Sequence, residues 1–322
     1  MDLFFFQREQ YEHFYNCSGY TAEQWTNFGD KQTVIGVYSI MLSTVALILY
    51  IPCMKVMMEP KLWKLSCYKL MFLNGIVDHI GIVGSLISGF LSLKGVVFCS
   101  YPTFLYLTGT VVVSQYATQQ VVAVLLALNR CIEFWQKPSL NALFEGNRMY
   151  MWWMIPLVHF TVMVFFTVAC PFTSIVNMWM FDPYFGIPGI QTDKSLYKDV
   201  PLLNYTNLFC FVTLNGAYVF LVGSVMYRTR QGNQAFLSKL QKQVTLYYST
   251  IVLRNTYFCS DYDTSSAHLC GAIIIYMVMN RTIRQGVIAF YLNLAGYSAA
   301  TQNIYSTDIS QRPRSCAVHP TI

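Results

Sequence analysis

The stretch from Tyr101 to Arg130, YPTFLYLTGTVVVSQYATQQVVAVLLALNR, holds no Asp, Glu, Lys or Arg between Pro102 and Leu128. A helix needs roughly 20 apolar residues to cross a hydrocarbon layer of about 30 Å, so residues 102–128 predict a membrane span. The run stops at Leu128-Asn129-Arg130. That sets a permanently charged guanidinium at the membrane boundary, where it can reach water or a partner protein without full burial.

Composition extends this reading to the whole chain. Of 322 residues, 55% are hydrophobic and 11% charged, and mean hydropathy is +0.40; a soluble domain carries about 25% charged residues. A transmembrane β-barrel would alternate polarity over segments of about 10 residues, whereas the apolar runs here are long and continuous. The fold class is therefore an all-α membrane protein. The formal charge of +6 does not point to nucleic acid, because the positive residues collect in short loops between spans.

Four further runs, at 34–56, 67–93, 150–172 and 202–227, have spanning length. Beyond Lys242, only 38 residues (243–280) precede Arg281, where two spans and a turn need about 40. The expectation is a seven-transmembrane helix bundle over 34–280, with a short or irregular sixth helix and a seventh span that includes 267–280. Ile283, Val287, Tyr291 and Leu294 then recur at helical spacing opposite Arg281, Arg284 and Gln285. They predict an amphipathic helix over 281–297 lying on the inner membrane surface, followed by a polar, disordered cytoplasmic tail over 298–322. Residues 1–33 read as an extracellular tail. Arg8 and Glu9 follow closely on Phe4, Phe5 and Phe6, so the first span is expected to insert without a cleaved signal. With the amino terminus outside, the inner segments collect 15 of the 21 Lys and Arg residues, as the positive-inside rule requires.

Inside the spans, polar residues mark the candidate sites. Asp78 is the acidic residue set deep in a span; a carboxylate there is costly, so it is expected to pair with a cation or polar neighbour and to bias two helix packings. Tyr106, Thr110 and Ser114 face one side of the third span toward its outer half, as sparse polar groups of a ligand pocket would. Gln115, Thr118 and Gln119 add polar groups on the adjoining turns; interhelical hydrogen bonding is the alternative reading for the whole set and the preferred one for Gln119. Gly81, Ser85 and Gly89, spaced by four, allow a neighbouring helix to approach closely. His159, Trp152 and Trp153 read as packing or interfacial residues. Asn16-Cys17-Ser18 is a glycosylation sequon in the outer tail. Ten cysteines lie in no C-x-x-C or Cys/His zinc spacing, and there is no phosphate-binding Gly loop, catalytic carboxylate pair or nucleophile-base signature. No cofactor, metal or enzymatic activity is expected.

Several short motifs fall in register at the span ends: Tyr15-Asn-Cys17, Tyr50-Ile-Pro-Cys53, Ser66-Cys-Tyr-Lys-Leu-Met71, Gly95-Val-Val-Phe-Cys99, Leu128-Asn-Arg130, and Ile275-Tyr276 through Asn280-Arg-Thr-Ile-Arg284. In this order the chain resembles the serpentine receptor class T chemoreceptors of nematodes, a seven-helix G-protein-coupled receptor family. The resemblance implies a small-molecule or peptide ligand outside, a heterotrimeric G protein read by Asn129 and Arg130 inside, and residence in the plasma or ciliary membrane of sensory cells. Asn129-Arg130 stands where the wider rhodopsin-like receptors carry an acidic-Arg pair, and no Asn-Pro-x-x-Tyr occurs in the last span. In many seven-helix receptors a cysteine at the position of Cys99 pairs with the second outer loop, yet 172–201 lacks cysteine. Cys17 is the preferred partner and Cys170 the alternative. The competing readings are a membrane transporter or channel, and a receptor-like protein that no longer signals because its sixth helix is impaired.

Overall fold

A computed structural model describes residues 1–135, 138–190, 193, 195–198, 200–230 and 280–294. The expected sixth span, nearly all of the seventh, and the tail over 298–322 lie outside the described residues.

Among the described residues, five helices are long and apolar enough to cross a membrane: α4 (Thr33–Met57), α5 (Ser66–Lys94), α6 (Pro102–Trp135), α8 (Arg148–Phe166) and α10 (Pro201–Arg230). Short helices precede and connect them: α1 (Asp2–Phe6), α2 (Arg8–Phe14), α3 (Ala22–Thr26), α7 (Pro138–Asn141) and α9 (Ser195–Lys198). The last described helix is α11 (Arg281–Leu294). Large apolar side chains such as Ile48, Met151, Leu157, Phe209 and Phe220 stand exposed on α4, α8 and α10. On a soluble protein so much apolar surface would be a liability, but here it is the face that lipid covers.

Two span ends depart from the sequence reading. Residues 129–135, NRCIEFW, contain no Pro or Gly, so α6 continues past Arg130 to Trp135. Arg130 is thus about one turn inside the helix instead of at its end. The fourth span stops at Phe166, because Thr167 turns extended (φ −102°, ψ 149°). The following residues form an antiparallel two-residue hairpin that pairs Phe172 with Trp179 and Thr173 with Met178. A backbone hydrogen bond of 2.9 Å from Ser174 N–H to the Val96 carbonyl pins this hairpin over the end of α5.

The small-residue stripe of α5 meets α4. A Cβ on Gly89 would lie 2.8 Å from Ile40 and 3.0 Å from the Gly36 carbonyl oxygen, and Ser43 donates to Ser85 at 3.0 Å. α5 ends on Gly95 in the left-handed conformation (φ 70°), the usual glycine helix stop. At the other end of the bundle α11 lies against α4. Ile283 and Val287 are buried, Gly286 faces Val56, and the Tyr291 hydroxyl donates to the Ile48 carbonyl at 2.5 Å. The expected amphipathic helix is present through Leu294, and residues 295–297 of its predicted span are not described.

Residues 1–32 are folded. Tyr11, Tyr15 and Trp25 are buried with Val96, Phe98, Leu105, Tyr106, Phe172 and Tyr184 in an aromatic core. That core caps one end of the bundle, called the upper end here. A second core at the lower end joins Tyr50, Leu70, Val122, Leu125, Met149, Ile283 and Val287.

Candidate ligand and coupling sites

At the upper end, a disulfide joins Cys17 to Cys99 across 82 residues, with Cα atoms 5.4 Å apart. Cys170 is a free, buried thiol, pushed up in pKa by burial. Around the disulfide, aromatic side chains hold the tail. The Trp25 indole donates to the Cys17 carbonyl at 3.0 Å, the Tyr184 hydroxyl to the Asn16 carbonyl at 2.7 Å, and the Tyr197 hydroxyl to the Phe14 carbonyl at 2.5 Å. Asn16 itself is exposed, and its Oδ1 accepts the Ser18 N–H at 2.9 Å.

Tyr106, Thr110 and Ser114 stack along one buried line of α6, each at most 1% exposed. The hydroxyls of Thr110 and Ser114 donate back to the carbonyls of Tyr106 and Thr110, at 2.8 and 2.7 Å. They therefore tie α6 to itself and leave their lone pairs facing the bundle. Tyr106 is covered by the tail. Phe4 stacks on it at 5.6 Å, while Tyr11 and Tyr15 meet it edge-on at 5.0 Å.

Halfway down α6, three consecutive residues reach three different helices. Thr118 Oγ1 lies 3.1 Å from His159 Nδ1 of α8, Gln119 Nε2 donates to Asp78 Oδ1 of α5, and Gln120 Nε2 donates to Asn207 Oδ1 of α10 at 2.9 Å. Successive residues of a helix point about 100° apart, which is how one turn can address three neighbours. Asp78, 0% exposed, also accepts from Tyr50 of α4 at 2.5 Å and from Asn74 at 2.6 Å. The carboxylate thus links α4, α5 and α6 through neutral donors. A buried polar group requires such partners.

At the lower end, Asn129 Nδ2 donates to Ser66 Oγ at 3.0 Å, and Ser66 Oγ donates to Glu133 Oε1 at 3.0 Å. Glu133 Oε2 lies 3.9 Å from Arg130, which also reaches Met71 Sδ at 3.9 Å. The Arg130 side chain remains 36% exposed.

Tyr11 of the tail and the partners Asn74, Glu133 and Asn207 are not singled out by the sequence, while Phe4 enters only as an apolar residue and Tyr15 and Tyr50 only inside the motifs Tyr15-Asn-Cys17 and Tyr50-Ile-Pro-Cys53. Helical spacing marks two of them: Asn74 stands four residues before Asp78, and Glu133 three after Arg130, the separations at which helix side chains meet. Tyr50 and Asn207 come from other helices, and no local spacing ties them to Asp78 or Gln120.

The family model for the serpentine type 7TM GPCR chemoreceptor Srt matches residues 1–296. Among curated proteins, serpentine receptor class T-55 of Caenorhabditis elegans is 25% identical over 237 residues, which is 72% of this chain. The match spans 63% of that receptor's own length. The matched region takes in the tail, all five described spans and α11, and on that extent the chain belongs to the Srt family of serpentine seven-transmembrane chemoreceptors.

Proposed function

We propose that this multi-pass membrane protein is a chemosensory receptor that binds an external ligand at its upper end and activates a heterotrimeric G protein at its lower end. The amino terminus is outside, in the plasma or ciliary membrane of a sensory cell. The observation that carries the reading is the belt at Thr118, Gln119 and Gln120, which fixes α6 to three helices midway between Tyr106 and Arg130. A ligand acts through its differential affinity for two packings, and a belt that must break or hold as a unit supplies two packings to choose between. Tyr106, Thr110 and Ser114 form the ligand face, Asp78 biases the equilibrium, and Asn129 with Arg130 meets the G protein. Glu133 holds Arg130 at 3.9 Å in the described packing.

The test is nucleotide exchange on purified G protein with receptor in nanodiscs. Arg130→Ala is expected to abolish basal and ligand-driven exchange while surface expression stays at the parent level. Exchange undiminished by the substitution would remove Arg130 from coupling, and substrate or ion flux without exchange would favour a transporter or channel.

A further inference from the structure

Three observations at the upper end converge on the tail. First, Tyr106, the outermost residue of the proposed ligand face, is 1% exposed, and the ring stacked on it comes from α1. Second, the side-chain hold on α1 is slight, and its main anchor is the Met1 ammonium, which donates to the Val164 and Phe165 carbonyls of α8 at 2.5 and 3.2 Å. Tyr15 and Tyr11 are buried at 3% and 6%, whereas α1 has no buried residue and Phe5 and Phe6 point outward at 58% and 75% exposure. A five-residue helix is far below the length that holds itself together in water. Third, the buried Tyr15 hydroxyl has no hydrogen-bond partner among the described residues. It sits on a ring 5.0 Å from Tyr106. An unpartnered buried donor is costly, and a ligand acceptor would relieve it.

We infer that Phe4 and α1 close the ligand site in the unliganded receptor, and that the ligand is a neutral aromatic molecule bearing a hydrogen-bond acceptor. Its ring takes the place of Phe4 on Tyr106, and its acceptor receives the Tyr15 hydroxyl. This deepens the receptor reading and rests on it for the location of the site.

The chemistry of the surroundings sets the ligand class. The walls are aromatic rings with the Thr110 and Ser114 hydroxyls beneath them. The nearby charges already have partners: the Met1 ammonium donates to the Val164 and Phe165 carbonyls, Asp2 accepts from Gln7 at 2.8 Å, and Arg8 pairs with Glu12 at 2.9 Å on the exposed side, with Arg8 lying over the Phe4 and Tyr11 rings at 5.6 and 5.3 Å. A charged ligand would have to break one of those pairings or be buried without a counter-ion, and both are unfavourable. Burial also holds the Tyr15 hydroxyl well above the usual phenol range, so it stays a donor at neutral pH. The Cys17–Cys99 disulfide keeps the displaced segment attached, so closure is reversible and its local concentration stays high.

The test uses the full receptor in nanodiscs and has two arms. In the first, Thr110→Cys is labelled with a neutral methanethiosulfonate reagent, above the background of the parent cysteines. Adding Phe4→Ala is expected to speed labelling by about two- to tenfold, the range worth of an aromatic pair. Equal rates would overturn the closure. In the second, a nitroxide at Phe5→Cys reports α1 motion as probes are titrated. Acetophenone is expected to mobilise the label, and Tyr106→Ala to remove that response. Cyclohexyl methyl ketone, which lacks the ring, and ethylbenzene, which lacks the acceptor, are expected to need higher concentrations. Tyr15→Phe is expected to weaken acetophenone about two- to tenfold and leave ethylbenzene unchanged. No response to acetophenone, or an equal response to all three probes, would overturn the ligand class. Neither arm uses a G protein, so a receptor that opens and binds but drives no exchange would count against the signalling reading alone.

Discussion

Replacing Asp78 by Ala and by Asn separates a structural acceptor from a switch. Asp78→Ala removes the group that receives Tyr50, Asn74 and Gln119. A buried donor left without a partner costs about 1–3 kcal/mol, so three give roughly 3–9 kcal/mol. The lower part of that range applies, because the Tyr50 hydroxyl and the Asn74 amide both aim at Oδ2 and can pair with each other once it is gone. Asp78→Asn keeps one acceptor oxygen. With that oxygen toward Tyr50 and Asn74, the new amide faces Gln119, which can turn to present its own oxygen. It then gives up the bond it accepts from Gln115 at 3.1 Å, a loss of about 1 kcal/mol. A change of 1 kcal/mol moves the midpoint by about 2–4 °C in chains of 150–250 residues and less in longer ones. Thermal unfolding in nanodiscs should therefore show Asp78→Asn within a few degrees of the parent and Asp78→Ala several degrees lower. Removing Gln115 first should make Asp78→Asn milder still, a coupling readable in a double-mutant cycle. Equal midpoints for Asn and Ala would refute the hydrogen-bond account, and an Asp78→Asn receptor with an unaltered dose response would refute the switch.

The remaining predictions concern the upper end. Cys17→Ser or Cys99→Ser opens a closure of 82 residues, worth at most about 4.5 kcal/mol by chain entropy; both variants should unfold earlier and release an alkylatable partner thiol, and an unchanged midpoint would show that the bond constrains nothing. Asn16→Gln should abolish a glycosidase-sensitive shift of the receptor on a gel, because Asn16 is exposed in a sequon; a shift that survives would move the glycan elsewhere. Gly109→Ala would set a Cβ 2.4 Å from the Cys170 carbonyl oxygen, a backbone atom that cannot swing aside, and should cut surface expression several-fold, whereas Gly216→Ala, with nothing within 4 Å, should leave it unchanged.

How much of this was legible in the sequence depends on the range of the interaction. The apolar runs locate five spans, since spanning length follows from bilayer thickness, and their bounds agree closely except at the carboxyl ends of α6 and α8. The end of α6 was misplaced because charge at Arg130 signals the membrane edge and not a helix stop; nothing breaks the helix before Pro138. The fourth span ended early for a tertiary reason, the hydrogen bond of Ser174 to Val96 across the end of α5. For residues 1–33 the sequence predicts only an extracellular tail. Its fold depends on Tyr11 and Tyr15, one helical turn apart, meeting Tyr106, whose separation of about 90 residues no local pattern encodes.

Under the proposed receptor function, the distribution of hydrogen bonds along α6 offers a route between its ends. From Tyr106 to Gln119 is about 20 Å and from Gln119 to Arg130 about 16 Å at 1.5 Å per residue. In the upper segment Thr110 and Ser114 bond to their own helix, so no side-chain hydrogen bond from either hydroxyl resists a small rotation there. At the belt, Thr118, Gln119 and Gln120 hold three neighbours at once. Rotation by even a fraction of the 100° step would misdirect all three together, and bonds weaken steeply with angle. The resistance is therefore concentrated in one turn, and the proposed mechanism needs that turn to be bistable, the condition under which a small displacement is amplified. Below the belt, Asn129, Ser66 and Glu133 form a chain ending 3.9 Å from Arg130, so the same rotation that breaks the belt moves Asn129 off Ser66 and loosens the grip on the arginine. Coupling by this route requires that weakening the belt at a site remote from both ends, for example by Gln120→Leu, raise basal exchange without a ligand. If Gln120→Leu leaves basal exchange and dose response at parent levels, the belt is packing and the message travels elsewhere.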